Sequence, residues 1–348
     1  MNNSPLSSFH AEHGATLQET EGWMVAKDYG SPVQEEASAR AGAGLIDLAQ
    51  VQTMTLDGPD ARRFSNGMFT NNIRHLQPGE GNRSAMCDDR GRVQGLIDVY
   101  CTDENRFEGV LEGVTAEWFE GRYEMYIVFD DVEMTVSDNA PWVLSLQGPQ
   151  ASAILAKAHL PEPTENGGHL LSDDGIRVAN KDRSGLGGFD LLVPTALMAA
   201  TAKRLVEAGA TVLGLTALEA LRISHGRARW PIDGTEKSMV HELAINEEVC
   251  NFNKGCYLGQ EVINRIDVKG QVVKRLSKIT LDGDILPPAG STILLDDVSV
   301  GTISSTALSA GQGIALAVLR KKAWEAGTAL RIEAGAEVLS GHVADLSQ

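Results

Sequence analysis

The sequence predicts an α+β fold with two ferredoxin-like units followed by a small C-terminal β-barrel. Residues 54–61 and 144–151 repeat one pattern, in which a strand runs into Gly-Pro, a polar residue and an apolar-periodic helix. Two copies of this pattern indicate two similar α+β units, and the order of the surrounding elements fits ferredoxin-like halves. From residue 275 onward, short apolar segments separated by Gly, Pro and Asp are typical of a small barrel.

The individual elements follow from apolar periodicity and turn residues. The first unit is predicted to hold a helix at 33–43, strands at 45–48, 51–56, 83–87 and 93–101, a hairpin turn at 88–91 and a helix at 114–126. The second holds helices at 151–158, 195–208 and 216–225 and a strand at 189–193. The barrel strands are expected at 278–281, 292–295, 299–304, 314–319, 330–332 and 338–343. Pro59 and Pro149 are expected in the first turn of their helices, where the missing N–H is tolerated.

The length of the chain indicates more than one domain, because 348 residues exceed one ordinary hydrophobic core. We place a first α+β unit at 1–138 and a second at 139–245. A connection follows at 246–274, and the barrel occupies 275–348.

Composition excludes several classes of function. The chain carries 47 acidic and 30 basic residues, a net charge of −17, which disfavours direct nucleic-acid binding. An anionic ligand would therefore need a local basic pocket. We read no secretory signal, and no apolar run approaches the roughly 18 residues that span a bilayer. The four cysteines show no metal-ligand spacing, so we expect a cytoplasmic protein with reduced thiols, no zinc site and no membrane partner.

The stretch 253–261, Asn-Lys-Gly-Cys-Tyr-Leu-Gly-Gln-Glu, combines polar and reactive side chains with two glycines. A lysine two residues before a cysteine favours the thiolate, which is the nucleophilic and metal-binding form. Lys254 and Cys256 are therefore candidates for a reactive catalytic pair. The alternative is that Cys256 is a small buried hydrophobe in a glycine-rich turn, as most free cysteines are.

Residues 254–261 resemble the K-G-C-Y-x-G-Q-E signature of the YgfZ-type folate-binding proteins, relatives of the glycine-cleavage T-protein. The resemblance implies a three-domain arrangement with tetrahydrofolate, or a one-carbon derivative, in a central hole. It also implies iron–sulfur enzymes or their assembly proteins as partners. On this interpretation Tyr257 stacks on the ligand ring. Gln260 and Glu261 either hydrogen-bond the pterin or cap the following helix.

Two further segments are similar to the T-protein. Its G-W, Y-G-S, helix and G-x-x-D order is matched in the first 47 residues, which makes Tyr29 a candidate cofactor-binding residue. The helix at 216–225 places Glu219 and Arg222 on one face. A solvated ion pair explains that spacing on the residues alone. In the T-protein family this A-L-R helix leads to the folate pocket, so the resemblance makes Arg222 a candidate for an anionic group or a pterin carbonyl, with Glu219 beside it.

Departures from the T-protein concern its carboxylates. Aligning its G-G-V-I-D-D-L-I-V-Y strand with 91–100 puts Gly95 and Leu96 where the catalytic aspartate pair stands. Two folate-contacting glutamates align with Leu186 and Ser224. Asp98 lies two or three residues further along the strand and is displaced by several ångströms.

The sequence therefore predicts a folate-binding protein that supports the assembly or repair of iron–sulfur enzymes rather than cleaving glycine. One rival hypothesis is a folate-dependent one-carbon transferase acting on a small amine or methylated sulfur compound, with Asp98 or Glu219 as the base. Another is a non-catalytic scaffold whose loop at 253–261 binds a partner protein.

Overall fold

The computed structural model describes residues 2–136, 140–270 and 272–345. The chain begins with β1 (Asn2–Asn3), α1 (Ser7–Glu12), β2 (Thr16–Thr20), β3 (Trp23–Asp28) and α2 (Pro32–Ala41). Strand β3 lies between β1 and β2 in a small sheet. The Ser31 side chain accepts a hydrogen bond from the Gln34 amide and Pro32 lies in the first turn, so α2 begins as helices ordinarily do.

A five-stranded antiparallel sheet with two helices follows. Its elements are β5 (Thr53–Asp57), α3 (Ala61–Met68), β6 (Gly81–Cys87), β7 (Val93–Asp103), β8 (Arg106–Glu112), α4 (Ala116–Tyr123) and β9 (Glu133–Thr135), preceded in the chain by β4 (Gly44–Asp47). The strand order is β6-β7-β8-β5-β9. The predicted helix at 114–126 is shorter than expected. The Thr115 side chain caps it, and its last residues form a 3₁₀ turn at Glu124–Tyr126.

A second sheet of six strands is built from both predicted units. It comprises β4, β10 (Trp142–Gln147), β11 (His169–Leu171), β12 (Arg177–Asn180), β13 (Gly188–Val193) and β14 (Thr211–Val212), with α5 (Ala151–Lys157), α6 (Met198–Glu207) and α7 (Leu215–Ser224). The order is β11-β12-β13-β10-β4-β14. Strand β4 comes from residues that we placed in the first unit. Its Leu45 and Ile46 are buried in different core clusters on the two faces of this sheet.

The repeated pattern differs from expectation in one detail. Pro59 and Pro149 precede the N-cap residues of α3 and α5 instead of lying in the first helical turn. The chain bends at Gly58 and Gly148, whose φ angles of 126° and 139° suit glycine alone. The prolines therefore belong to the turn.

The C-terminal part is a closed barrel, reached through α8 (Asn246–Val249) and α9 (Gln260–Lys269). Its strands are β15 (Lys274–Leu281), β16 (Thr292–Leu295), β17 (Val298–Ser309), β18 (Gln312–Arg320), β19 (Ala329–Ala334) and β20 (Glu337–Ala344). They close in the order β15-β18-β17-β16-β19-β20. All six strands overlap those predicted, and the α+β class with a C-terminal barrel is confirmed.

Candidate functional site

A cavity of about 210 Å³, which we call the first chamber, lies between the end of β8, helix α7 and the loops at 48–51, 226–230 and 243–248. Its apolar wall is formed by Leu48, Val51, Leu111, Val114, Leu215, Leu218 and Trp230. The described lining also includes five arginines and five carboxylates: Arg83, Arg183, Arg222, Arg227, Arg229, Glu21, Glu112, Asp182, Glu219 and Glu248. An apolar wall with a few convergent charges is typical of a site for an organic ligand.

Arg222 forms part of this wall and is only 3% exposed. Its Nη1 donates to Asp233 Oδ2 at 2.7 Å. Its Nη2 donates to Glu219 Oε2 at 2.5 Å and to Ser305 Oγ of barrel strand β17 at 2.8 Å. Burial disfavours the charge, but the two carboxylates outweigh that effect and raise the pKa of Arg222. Arg222 therefore joins α7 to the barrel, and only its Nε lacks a partner among the described residues.

A second chamber, of about 420 Å³, adjoins the first. Arg83, Asp182, Arg227 and Glu248 line both chambers and form the boundary between them. The remaining lining is polar apart from one tyrosine and two glycines: Asn71, Gly81, Asn82, Asp98, Tyr100, Asn166, Gly167, Asn180 and Lys181. The second chamber therefore suits a small, highly polar ligand.

Asp98, on β7, lies in this second chamber and is 5% exposed. Lys181 Nζ donates to its Oδ1 at 2.6 Å. Burial alone would raise the pKa of Asp98, but the charges of Lys181 and Arg83 prevail and lower it. A carboxylate with a lowered pKa is a weak general base at neutral pH. Asp98 is therefore placed to bind a donor or a positive charge.

Apolar side chains surround Gly95 and Leu96, the two positions that we aligned with the T-protein's aspartate pair. A Cβ added at Gly95 would lie 2.8 Å from Met86 Cε and 2.9 Å from Val114 Cγ1. Leu96 points into an apolar core cluster. The surroundings of these two positions are therefore apolar.

Lys254 is buried, and its ammonium is bound by the last turn of α3 and the loop that follows it. Nζ donates to the carbonyl oxygens of Asn66, Phe69 and Asn71 at 2.7, 2.6 and 2.7 Å. Burial lowers the pKa of Lys254 to about 7, while the three accepting carbonyls favour the charged form, since only an ammonium can donate three hydrogen bonds. The Lys254 Nζ also lies 4.9 Å from the centre of the Tyr257 ring. The activation of Cys256 by Lys254 stays a prediction.

The rest of the 253–261 stretch packs against the hairpin turn at 88–91. Gly259 has φ of 82°, and a Cβ there would lie 2.6 Å from Asp88 O and 2.8 Å from Gly91 Cα. Tyr257 is buried in an adjacent core cluster. Cys256 is the exposed one of the four cysteines. The loop is therefore fixed on both sides and presents one thiol to solvent.

The chambers bring together only some of the predicted site residues. Arg222 and Glu219 line the first chamber and Asp98 the second. The described linings do not include the other candidates, Tyr29, Lys254, Cys256, Tyr257, Gln260 and Glu261. Their roles toward a ligand stay predictions.

Tyr29 contacts helix α1. Its Oη lies 2.9 Å from Nδ1 of His10, a residue of α1, and His10 Nε2 lies 2.9 Å from Asp47 Oδ2. Gln260 and Glu261 are the first two residues of α9, where a carboxylate interacts favourably with the helix dipole.

Sequence reasoning did not identify several lining residues. Arg83 Nη2, on β6, contacts Glu112, on β8, at 2.6 Å across the intervening strand β7, and Lys181 reaches Asp98 over 83 positions of sequence. Gln50 Oε1, in the wall of the first chamber, has no partner among the described residues. The sequence feature that could have identified Arg83 is a basic residue within a strand whose other residues suggest burial.

Among the described residues, none of the helices is both long enough and apolar enough to cross a membrane. Within the same residues, no three His, Cys, Asp or Glu side chains converge as a group that could hold a metal ion.

Comparison with known proteins gives consistent results along the chain. The GCVT N-terminal domain model matches residues 6–254, and the glycine cleavage T-protein C-terminal barrel domain model matches 274–347. An aminomethyltransferase of Herpetosiphon aurantiacus is 26% identical over 328 residues, covering 92% of this chain and 90% of that protein. An aminomethyltransferase of Ralstonia pickettii is 32% identical over 248 residues, 65% of each chain.

Among solved structures, the glycine cleavage system aminomethyltransferase T from Bartonella henselae superposes with a TM-score of 0.90. The match covers 99% of this chain and 97% of that one at 20% identity, so it establishes a common fold. Together with the two domain models, which span both the sheets and the barrel, it leads to one conclusion. The chain belongs to the glycine cleavage T-protein family.

Proposed function

We propose that the protein binds tetrahydrofolate, or a one-carbon derivative of it, in the first chamber. The observation that carries this proposal is a cavity with an apolar wall beside two partly exposed arginines, Arg227 and Arg229, in a chain of net charge −17. A folate combines a flat ring, which suits the apolar wall, with the carboxylates of its glutamate tail, which the arginines would attract. The relatives named aminomethyltransferase support a one-carbon carrier as the ligand.

We further propose that the folate-loaded protein supports iron–sulfur enzymes in the cytoplasm, as the YgfZ-type signature at 254–261 implies. The structural support is the exposed Cys256 thiol on a loop that Lys254 and Gly259 fix to the first sheet. A rigidly presented thiol can approach a partner protein or a cluster without reordering the loop. Glycine cleavage is disfavoured, because Met86 and Val114 fill the space beside Gly95.

A second candidate function is one-carbon transfer between the folate and a small amine. Asp98 favours it, because this carboxylate lies in a polar chamber next to the first one. The lowered pKa argues against Asp98 as a general base, so here it would hold the amine in place.

Isothermal titration with tetrahydrofolate and its one-carbon derivatives tests folate binding directly. Ala228→Trp places a large ring in the first chamber and should weaken binding by about tenfold or more, since it removes the space for the ligand. Ala200→Trp, on the exposed face of α6, is the matched control and should bind normally. If Ala228→Trp and the wild type are both folded and bind folate with equal affinity, the first chamber is not the folate site.

The iron–sulfur role requires a cellular test. Cys256→Ser should retain folate affinity, because Cys256 is not among the described residues lining the chamber, yet lose support of iron–sulfur enzyme activity. Full complementation by Cys256→Ser would contradict the role of the thiol. Turnover of folate one-carbon derivatives with small amines would instead favour the transferase.

A further inference from the structure

We propose that the second chamber is a binding site for a small zwitterion, of the α-amino acid class. The inference rests on the proposed function, because the amino acid would be the amine that meets the folate at the boundary between the chambers. It adds a substrate class and a second subsite to that function.

The chamber presents oxygen acceptors on one side. Only one oxygen of Asp98, Oδ1, is used by a partner among the described residues, which leaves Oδ2 for a ligand. The neighbouring asparagines direct their NH₂ groups away. Asn82 Nδ2 donates to the Asn72 carbonyl at 2.9 Å, and Asn180 Nδ2 to the Pro163 carbonyl at 3.3 Å. Asp98 Oδ2 and the Asn180 carbonyl oxygen are the acceptors that an ammonium group needs.

Two guanidinium groups at the boundary with the first chamber each have one loosely held nitrogen, Nη1. Their Nη2 atoms are held firmly, by Glu112 Oε2 at 2.6 Å for Arg83 and by the Asp182 carbonyl oxygen at 2.8 Å for Arg227. Arg227 Nη1 lies 3.3 Å from Asp182 Oδ2, and its side chain is 30% exposed. Arg83 Nη1 lies 3.4 Å from Glu248 Oε1. Contacts of this length are weaker than the 2.7–2.9 Å expected of a charge-assisted hydrogen bond. Both groups can therefore bind a carboxylate without losing a strong bond.

Charge balance selects a zwitterion over a singly charged ligand. The described lining holds three cations, Arg83, Lys181 and Arg227, and three carboxylates, Asp98, Asp182 and Glu248. A lone ammonium or a lone carboxylate would bring one uncompensated charge into this balanced group, in which Asp98, Lys181 and Arg83 are largely buried, and that is costly. A zwitterion satisfies both sides and leaves the sum unchanged.

Three related probes separate these possibilities: L-alanine, ethylammonium, which lacks its carboxylate, and propionate, which lacks its ammonium. Each is titrated calorimetrically into the full-length protein, with and without tetrahydrofolate. L-Alanine should bind about tenfold or more tightly than either singly charged probe, the effect expected of one charge-assisted hydrogen bond.

Three substitutions locate the site. Asp98→Asn should weaken L-alanine and ethylammonium, and Arg227→Gln should weaken L-alanine and propionate, each by about tenfold. If Asp98→Asn fails to fold, Arg227→Gln still tests the site, because Arg227 is partly exposed. Arg265→Gln, at an exposed position of α9 outside both linings, should leave L-alanine affinity unchanged.

The outcomes distinguish this inference from the folate proposal. The amino acid site alone is overturned if folate binds but L-alanine binds no more tightly than propionate. The same holds if folate binds but Arg227→Gln leaves the affinity for L-alanine unchanged. L-Alanine binding without folate binding overturns the folate proposal and leaves the zwitterion site standing.

Discussion

Replacing Lys254 by methionine should destabilise the folded protein, because the Lys254 ammonium binds three carbonyl oxygens of the α3 C-terminus and the loop that follows it. Those oxygens, of Asn66, Phe69 and Asn71, lie 2.6–2.7 Å from Nζ. Methionine matches the length and apolar stem of lysine but donates no hydrogen bond. The substitution therefore isolates the ammonium.

The magnitude follows from two opposing contributions. A buried carbonyl that loses its donor costs about 1–3 kcal/mol, so three of them cost about 3–5 kcal/mol once partial relaxation is included. Burying the ammonium is itself unfavourable, as the lowered pKa of Lys254, about 7, indicates. Methionine avoids that cost. We expect a net loss of about 2–4 kcal/mol in the free energy of unfolding.

Urea denaturation at neutral pH, followed by circular dichroism, measures this loss as a lower midpoint with an unchanged slope. Lys269→Met, at the exposed end of α9, is the matched control and should change little. Alkylation of Cys256 is measured on the same proteins. A Lys254→Met protein of normal stability whose Cys256 reacts more slowly would refute the structural role and show that the ammonium activates the thiol.

Three other predictions concern acid stability, the loop glycine and thiol reactivity. Burial and the charge of Arg177 lower the pKa of His169 from 6.5 to about 4, so the unfolded chain binds a proton that the native state resists. Stability should fall by about 2–3 kcal/mol between pH 6.5 and 4, and His169→Gln should lose this part of the pH dependence in urea melts. Gly259→Ala should destabilise by about 2–4 kcal/mol because of its positive φ and a carbonyl 2.6 Å away, and a normal melting midpoint would contradict this. Mass-spectrometric mapping should show Cys256 labelled well before Cys87, and equal rates would mean that the loop opens readily.

The barrel and most strands could be predicted from the sequence because their determinants are local. In β16, Thr292–Leu295, the structure reproduces the predicted bounds, since apolar residues bounded by turn residues specify a short strand. The placement of β4 could not be predicted. Leu45 and Ile46 are apolar and would suit either sheet, and only the pairing of β4 with β10 and β14 decides between them.

The same distinction between local and long-range determinants applies to the candidate site. Glu219 and Arg222 could be paired from sequence because they are three residues apart on one helix. The contact of Lys181 with Asp98 joins two different sheets and leaves no local pattern. Charged residues that are far apart in sequence can be paired only once the arrangement of the strands is known.

The stretch 253–261, which is the most specific sequence feature, lies outside the described linings of both chambers. Its lysine binds loop carbonyls, and Gly259 allows close contact with the 88–91 turn that precedes β7. Since β7 carries Asp98, the loop is mechanically linked to the second chamber through that turn and strand. Cys256 and Asp98 therefore lie on segments that meet at one turn, so the exposed thiol and the second chamber are connected through the 88–91 turn and β7 without direct contact.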